Sequence, residues 1–195
     1  MRYLIGIDEA GRGPLAGPVA VAAFAVKSKA ALRIFRGVKD SKQLRPEQRD
    51  EWFTLIRSCA KKGTAMYAVS MSRAETIDRQ GLSRAVAAAL GRCLKKLERL
   101  GCAAERARIL LDGLLYASPR FEDQQTIIDG DSKEPVIALA SICAKVTRDR
   151  RMILLAKKHP EYGFDMHKGY GTKAHYRAIK KYGLLPIHRK SFLNL

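Results

Sequence analysis

Apolar and polar residues alternate along this chain with two periods, and the switches between them mark out a succession of strands and helices. The opening run Tyr3-Leu4-Ile5-Gly6-Ile7 ends in two adjacent acids, Asp8 and Glu9. The alanine- and valine-rich run Val19 to Val26 follows a loop of glycines and prolines, and both runs read as strands. Ser28 to Lys42 is basic and irregular. Pro46 opens a helix to about Lys62, with Trp52, Phe53 and Ile56 on one face and Gly63 as its stop. Thr64 to Met71 alternates as a third strand, placing Ala65, Tyr67 and Val69 on one face. Helical spacing resumes at Ser72, is interrupted at Gly81, and continues through Leu82, Val86, Leu90, Leu94 and Leu97 to Gly101.

The second half repeats the opening logic. Arg108 to Gly113 is a short apolar run, then the acid Asp112, then glycine; two strands ending this way can set their acids side by side. Gln125 to Asp129 reads as another short strand, and Gly130-Asp131-Ser132-Lys133 as a third acid-bearing tip. Beyond Pro135 a long helix runs to about Lys158. Leu139, Ile142 and Val146 point inward, while Ser141, Lys145 and Arg148 recur at three- and four-residue intervals on another face. That stripe suits either a phosphate backbone or plain solvation, and the pattern alone leaves both open. A loop, Phe164 to Gly171, contains Tyr170 and leads to a basic helix from about Thr172 to Tyr182. The succession is that of an α/β protein.

Composition narrows the partner. With 37 Lys plus Arg against 19 Asp plus Glu, the net charge is +18, a field that draws polyanions. Nucleic acid leads, although charge alone does not separate a nuclease from a ribosome-associated or merely basic protein. No stretch approaches the ~20 apolar residues of a membrane span, and residues 1 to 7 are too short for the apolar part of a signal peptide, so a cytoplasmic location without membrane contact is expected. Cys59, Cys93, Cys102 and Cys143 form no C-x-x-C pair and read as reduced, mostly buried thiols. His159, His167, His175 and His188 lack ligand spacing and read as surface or structural residues. The 195 residues make one domain of ordinary size, with 160–195 as a C-terminal extension.

The acids carry the candidate chemistry. An Asp-Glu pair at the end of a buried strand needs counter-charge, and Arg12 supplies one positive charge against two negative. A divalent cation can supply the rest: Mg2+ and Mn2+ take carboxylate oxygens, and a Gly-x-Gly turn lets the backbone approach a phosphate or sugar. The bland alternative is a strand that ends in a polar turn. Taken singly, Asp112 reads equally as a polar strand end, Asp131 as a turn former and Tyr170 as a packed loop aromatic.

Asp8-Glu9-Ala10-Gly11-Arg12-Gly13 with Gly17-Pro18 resembles the signature of the type 2 ribonucleases H (ribonuclease HII). Six further blocks resemble that family in order: Gly37 to Lys42, Leu111 to Gly113, Gly130 to Lys133, Ala140 to Asp149, His167 to Thr172 and Pro186 to Phe192. The resemblance implies a ribonuclease H-like fold, a mixed central sheet flanked by helices with a small C-terminal helical extension that contacts substrate. It implies an endoribonuclease that cleaves the RNA strand of RNA–DNA hybrids and nicks 5′ to ribonucleotides embedded in duplex DNA, leaving 3′-hydroxyl and 5′-phosphate ends. By that analogy two Mg2+ or Mn2+ ions are held by Asp8, Glu9, Asp112 and Asp131, with Asp8 bridging them. Gly11, Arg12 and Gly13 are assigned to the ribose 2′-hydroxyl, and Tyr170 to the sugar after the RNA–DNA junction. Arg12, Lys42, Lys133, Lys145 and Arg148, with Ser141 on the same helical stripe, are expected at the phosphates, whereas Asp129 and Asp149 are not expected to be ligands.

One departure and two competitors stand beside this. Ile77-Asp78 is followed by Arg79-Gln80-Gly81-Leu82, where the family usually carries an Asn-Ile pair, and Gly81 is expected to loosen the helix entry there. Arg12 between its glycines favours type 2 over type 3 enzymes. The competing functions are a non-catalytic nucleic-acid binder and a DNA-strand-transferring or junction-cutting enzyme of the same fold. Three acid-tipped segments argue against a pure binder, which has no need to point carboxylates at a polyanion. A monomer is expected; the terminal Leu193-Asn194-Leu195 is too short to support a replication-clamp peptide.

Overall fold

The central strand β1 (Leu4–Ala10) carries the first two acids and is hydrogen-bonded on both sides, as a computed structural model covering residues 2–193 describes it. On one side it pairs antiparallel with β2 (Val19–Val26), which pairs antiparallel with β3 (Met66–Ser72). On the other side it pairs parallel with β4 (Arg108–Asp112), which pairs parallel with β5 (Gln124–Ile127). The result is the mixed five-stranded sheet, β3-β2-β1-β4-β5.

Period-2 alternation then assigns each side chain to a face. Ile5, Ile7, Val21, Ala23, Ile109 and Leu111 pack on one side against α3 (Leu82–Arg99), whose Val86, Leu90, Leu94 and Leu97 form its apolar stripe. Ala22, Phe24 and Leu110 face the other way, toward α1 (Pro46–Lys61) and the 24-residue α5 (Pro135–Lys158). Burying one such Leu or Ile is worth about 2–3 kcal/mol, so these two layers carry most of the fold's stability. α5 is buried nearly all round from Val136 to Ala144 because it crosses directly over β1. A Cβ at Gly6 would lie 2.2 Å from the Val136 carbonyl oxygen, so glycine is what lets helix and strand approach so closely.

A third cluster joins the far half of α5, through Met152, Leu155 and Ala156, to the C-terminal elements. These are α6 (Phe164–His167), α7 (Lys173–Tyr182) and the stretch that follows. Their backbone is stitched onto the loop after β1: Leu15 and Ala16 N–H donate to Gly169 O, Gly17 N–H to Ile187 O, and Arg189 N–H to Leu15 O. Gly169, Ile187 and Arg189 therefore support the loop that follows the first strand.

Several boundaries differ from expectation. Lys29–Phe35 is a 3-10 helix rather than irregular, because Leu32 and Phe35 recur at the three-residue period of that helix and are buried, Phe35 edge-on to Phe24. β5 stops at Ile127; Asp129 turns into the left-handed region (φ +53°) and starts the short helical turn α4 (Gly130–Lys133). Gly81 does not loosen a helix. At φ +81° it separates α2 (Ala74–Gln80) from α3, donating to Ile77 O and accepting from Ala85 N–H. All four cysteines are free and buried, and no described helix is long and apolar enough to cross a membrane. Of the terminal Leu193-Asn194-Leu195, the last two residues lie outside the described part.

Candidate active site

Strand register brings the first two acids together. β1 and β4 run parallel with Ile7 opposite Leu111, so the next residues, Asp8 and Asp112, are neighbours on the face toward α5. The turn α4 supplies the third: Gly130 and Asp131 N–H both donate to Asp112 Oδ1, at 2.8 and 3.3 Å, which draws the turn onto the strand tip. Asp8, Asp112 and Asp131 each offer a carboxylate oxygen within 4.8 Å of the others. Asp131 is therefore carried by a helical turn rather than by a strand end.

Glu9 points to the opposite face of β1 but still lines the same cleft of about 300 Å3. Its Oε1 accepts from Arg12 Nη1 at 3.2 Å, while its Oε2 is buried with no hydrogen-bond partner. Asp8 is buried, and that burial, reinforced by the charges of Glu9 and Asp112, pushes its carboxyl well above the usual range; the Ser141 hydroxyl and the Glu9 N–H only partly oppose this. Burial likewise raises Glu9, against the pull of Arg12. A cluster this short of positive charge, with an orphaned buried oxygen and hard oxygen donors only, fits a divalent cation of the Mg2+ or Mn2+ type.

The cleft's other walls hold most of the remaining expected residues. Gly11, Arg12, Gly13, Lys42, Ser141, Lys145, Arg148 and Tyr170 all line it. Lys42 Nζ donates to Asp131 Oδ2 at 2.9 Å, and that bond leads the effects that raise the lysine to about 12. Ser141 is buried against Ser41 (Oγ to Oγ 2.7 Å), and Lys145 pairs with Asp149, so the stripe on α5 is not a solvated face. Lys133 turns away, donating to Ile128 O at 2.6 Å, which removes it from the expected phosphate contacts. Tyr170 is half exposed at the mouth, and a carbon added at Gly13 would meet its Cε1 at 3.8 Å.

Arg148 differs most from the expectation of an open phosphate contact. It is buried, with Nε donating to Pro18 O at 2.9 Å and Nη2 to Lys168 O at 3.0 Å. Arg189 works beside it, with Nη2 on Gly11 O and Nη1 on Arg12 O, both at 2.7 Å, and Nε on Gly17 O at 3.1 Å. Neither forms a salt bridge among the described residues; the acceptors are loop carbonyls. Burial lowers both guanidinium pKa values, Arg189 to about 10. At Gly11 (φ +92°) a Cβ would fall 1.9 Å from Arg148 Nε, so the glycine and the arginine require each other.

Some contributors escaped the sequence reading. Arg189 lay within a quoted motif without a role, because nothing local ties it to residues 172 to 178 positions earlier. Asp78 accepts from Lys190 N–H, Ser191 N–H and Ser191 Oγ–H. Its slight burial acts to raise it, but those bonds and the Lys190 charge outweigh this and hold it below its usual value. The hydroxyl of Ser41 and the carboxylate of Asp40, whose Oδ1 accepts from Lys42 N–H, complete the wall around Lys42.

Comparison with known proteins gives one answer. The family model described as Ribonuclease HII matches residues 5–195. The protein named Ribonuclease HII from Coxiella burnetii (strain Dugway 5J108-111) is 41% identical over 189 residues, covering 97% of this chain and 87% of that protein. The protein of the same name from Caldicellulosiruptor bescii is 42% identical over 192 residues, covering 98% and 87%. Among solved structures, the PCNA:RNase HII complex from Archaeoglobus fulgidus superposes with a TM-score of 0.74 at 25% identity, over 99% of this chain and 96% of that one.

Proposed function

The chain belongs to the ribonuclease HII family, a family of metal-dependent endoribonucleases, and from that premise we propose that it cleaves the RNA strand of RNA–DNA hybrids and nicks 5′ to ribonucleotides embedded in duplex DNA, leaving 3′-hydroxyl and 5′-phosphate ends. The observation that carries this reading is the convergence of Asp8, Asp112 and Asp131, from three separate elements, beside a cleft that Gly11–Gly13 and Tyr170 also line.

In this reading Asp8, Glu9, Asp112 and Asp131 hold two Mg2+ or Mn2+ ions, which when bound supply an activated water, charge stabilisation at phosphorus and help for the leaving oxygen. Every other task falls to the chain itself. The backbone of Gly11 to Gly13, held at the Gly11 and Arg12 carbonyls by Arg189 while Arg148 holds Pro18 further along the same loop, is stiff enough to meet a ribose 2′-hydroxyl, the group that separates RNA from DNA. Tyr170 offers a flat ring to the neighbouring sugar. Arg12 and Lys42, each bonded to a carboxylate at the rim of the cleft, are placed to exchange that partner for a phosphate; Lys145 lies further along the same wall. The +18 charge draws the duplex in, and each phosphate neutralised steepens the salt dependence by roughly 0.9 in logarithmic slope.

The test is a nicking assay on a duplex carrying one ribonucleotide, beside a long hybrid and an all-deoxy duplex. Cleavage 5′ to the ribonucleotide with Mg2+ or Mn2+, none with chelator and none on the all-deoxy duplex is expected. Equal cutting of the all-deoxy duplex would overturn the reading in favour of another enzyme of this fold, and binding without cleavage in either metal would leave a nucleic-acid-binding protein.

A further inference from the structure

Three imidazoles lie beneath the loop that presents Tyr170, and their hydrogen bonds leave only one set of tautomers. His175, on α7, places Nδ1 2.9 Å from Tyr170 O. A carbonyl only accepts, so Nδ1 carries the hydrogen and Nε2 of the neutral ring is bare. That Nε2 lies 3.1 Å from Nε2 of His188, which must therefore donate. His188 Nδ1 is then bare in turn and accepts the Leu185 N–H at 2.9 Å; the Leu185 carbonyl, at a longer 3.2 Å from the same nitrogen, already accepts the His188 backbone N–H at 2.9 Å. The chain of bonds runs in one direction, from Leu185 N–H through His188 and His175 to the Tyr170 carbonyl.

His167 is fixed independently. Its Nε2 donates to Tyr162 O at 2.7 Å, its Nδ1 accepts from Gly169 N–H at 3.2 Å, and its ring stacks on His175 at 4.5 Å between centroids. Phe164 and Tyr162 enclose the group from the side of α5 and α6, and His159, paired with Glu161, is the other titratable neighbour. The adjacent cations turn elsewhere, Lys168 to Asp165 O and Arg189 to the loop carbonyls. Among the described residues no carboxylate is bonded to His167, His175 or His188. Burial, the leading cause, pushes His175 down to about 4 and also lowers His188, so both rings are neutral at ordinary pH. A second proton on either would set two donors face to face.

We propose that His175 and His188 are positioning residues for ribonucleotide recognition, their linked imidazoles holding the Tyr170 carbonyl and so aiming the half-exposed ring at the Gly11–Gly13 backbone. The inference rests on the role given to Tyr170 above. The ring of Tyr170 is exposed enough that its own packing does not fix it; its backbone is held instead, N–H by His167 O at 2.9 Å and carbonyl by His175 and by Thr172 N–H at 2.8 Å. Removing the imidazole takes away the one of these anchors that comes from a side chain.

Two measurements on the full chain test it. Long-range 1H–15N spectra at pH 7.5 are expected to show the Nδ1–H tautomer for His175 and the Nε2–H tautomer for His188; the reverse assignment for either overturns the relay. Binding, in chelator, of a duplex with one ribonucleotide and of its all-deoxy counterpart supplies the functional arm. His175→Leu is expected to lower the preference for the ribonucleotide by about tenfold, the scale of one buried hydrogen bond, with all-deoxy binding unchanged. His175→Asn, which keeps an N–H donor near the Nδ1 position, is expected to restore most of it. An unchanged preference in His175→Leu, or equal losses on both duplexes, overturns the positioning role. Should that variant fail to fold, His188→Gln against His188→Met makes the same comparison, since Gln keeps the donor and Met does not. A native protein with no ribonucleotide preference would instead sink the reading of Tyr170 itself, while the tautomers would remain readable.

Discussion

Lys42 Nζ lies 2.9 Å from Asp131 Oδ2, so the lysine at the rim holds one of the three clustered carboxylates from outside. A cation bound by Asp131 and the lysine compete for the same oxygens. Lys42→Met is therefore expected to tighten Mn2+ binding several-fold in the absence of nucleic acid, while weakening cleavage of the single-ribonucleotide duplex. Titration calorimetry with Mn2+ alone, set beside single-turnover cleavage, checks both halves.

The buried Asp8 gives an opposite dependence on pH and on metal. Its carboxyl is raised in the folded protein, so the folded state holds a proton there more tightly than the unfolded chain does. Without metal, its contribution to stability is lost as pH rises from the ordinary carboxylate value through the raised one. Asp8→Asn is expected to raise the melting temperature in chelator at pH 8, to leave it nearly unchanged near pH 4, and to abolish cleavage. Saturating Mn2+ should reverse the order at pH 8, stabilising the native chain more than the variant, as thermal melts with and without metal would record.

His175 sets an acid limit of a different origin. Its folded value of about 4 lies below the ordinary 6.5, so the unfolded chain takes up a proton first as pH falls. The stability it provides is complete above about 6.5 and is lost progressively down to about 4, a change of order 3 kcal/mol. Urea unfolding of the native chain across that window should show the decline, and His175→Asn should flatten it. An equal slope in the variant would assign the decline to other groups.

Gly11 and Arg148 occupy space that a side chain at residue 11 would need. Gly11→Ala combines a positive φ with a clash against a buried guanidinium, and a loss of about 2 kcal/mol or more is expected. Arg189→Lys keeps the charge but has one donor group where the guanidinium offers three, so cleavage of the ribonucleotide duplex should fall at least tenfold while Mn2+ binding persists. Comparable loss of Mn2+ binding would show that the loop and the acid cluster are not separable.

Much of this site was legible because its acids lie at the ends of short, strongly patterned runs. Asp8 after Ile5-Gly6-Ile7 and Asp112 after Ile109-Leu110-Leu111 are strand tips that period-2 reading finds, and the parallel register then sets them side by side. Asp131 was found by its motif and not by its element, since Asp129 in the left-handed region ends the strand early and no apolar pattern signals that. Ser141, Lys145 and Arg148 of the α5 stripe all line the cleft, but spacing could not distinguish Lys145, which pairs with Asp149, from Arg148, whose guanidinium is taken up by the Pro18 carbonyl 130 residues away in sequence. The histidines were invisible as a group for the same reason: His175 and His188 meet only because α7 and the final segment fold back against each other.

The placement of Arg189 ties the two ends of the polypeptide into one operation. The glycine loop forms within the first twenty residues, yet three of its carbonyls receive their guanidinium from a residue 172 to 178 positions later. A partial polypeptide halted in synthesis before residue 189 would already contain every clustered acid but not the clamp over the loop. In the reading proposed above, such a fragment keeps the acid cluster but lacks the residue that fastens the carbonyls of Gly11 and Arg12, so the sugar-facing surface is completed later than the ion-holding one.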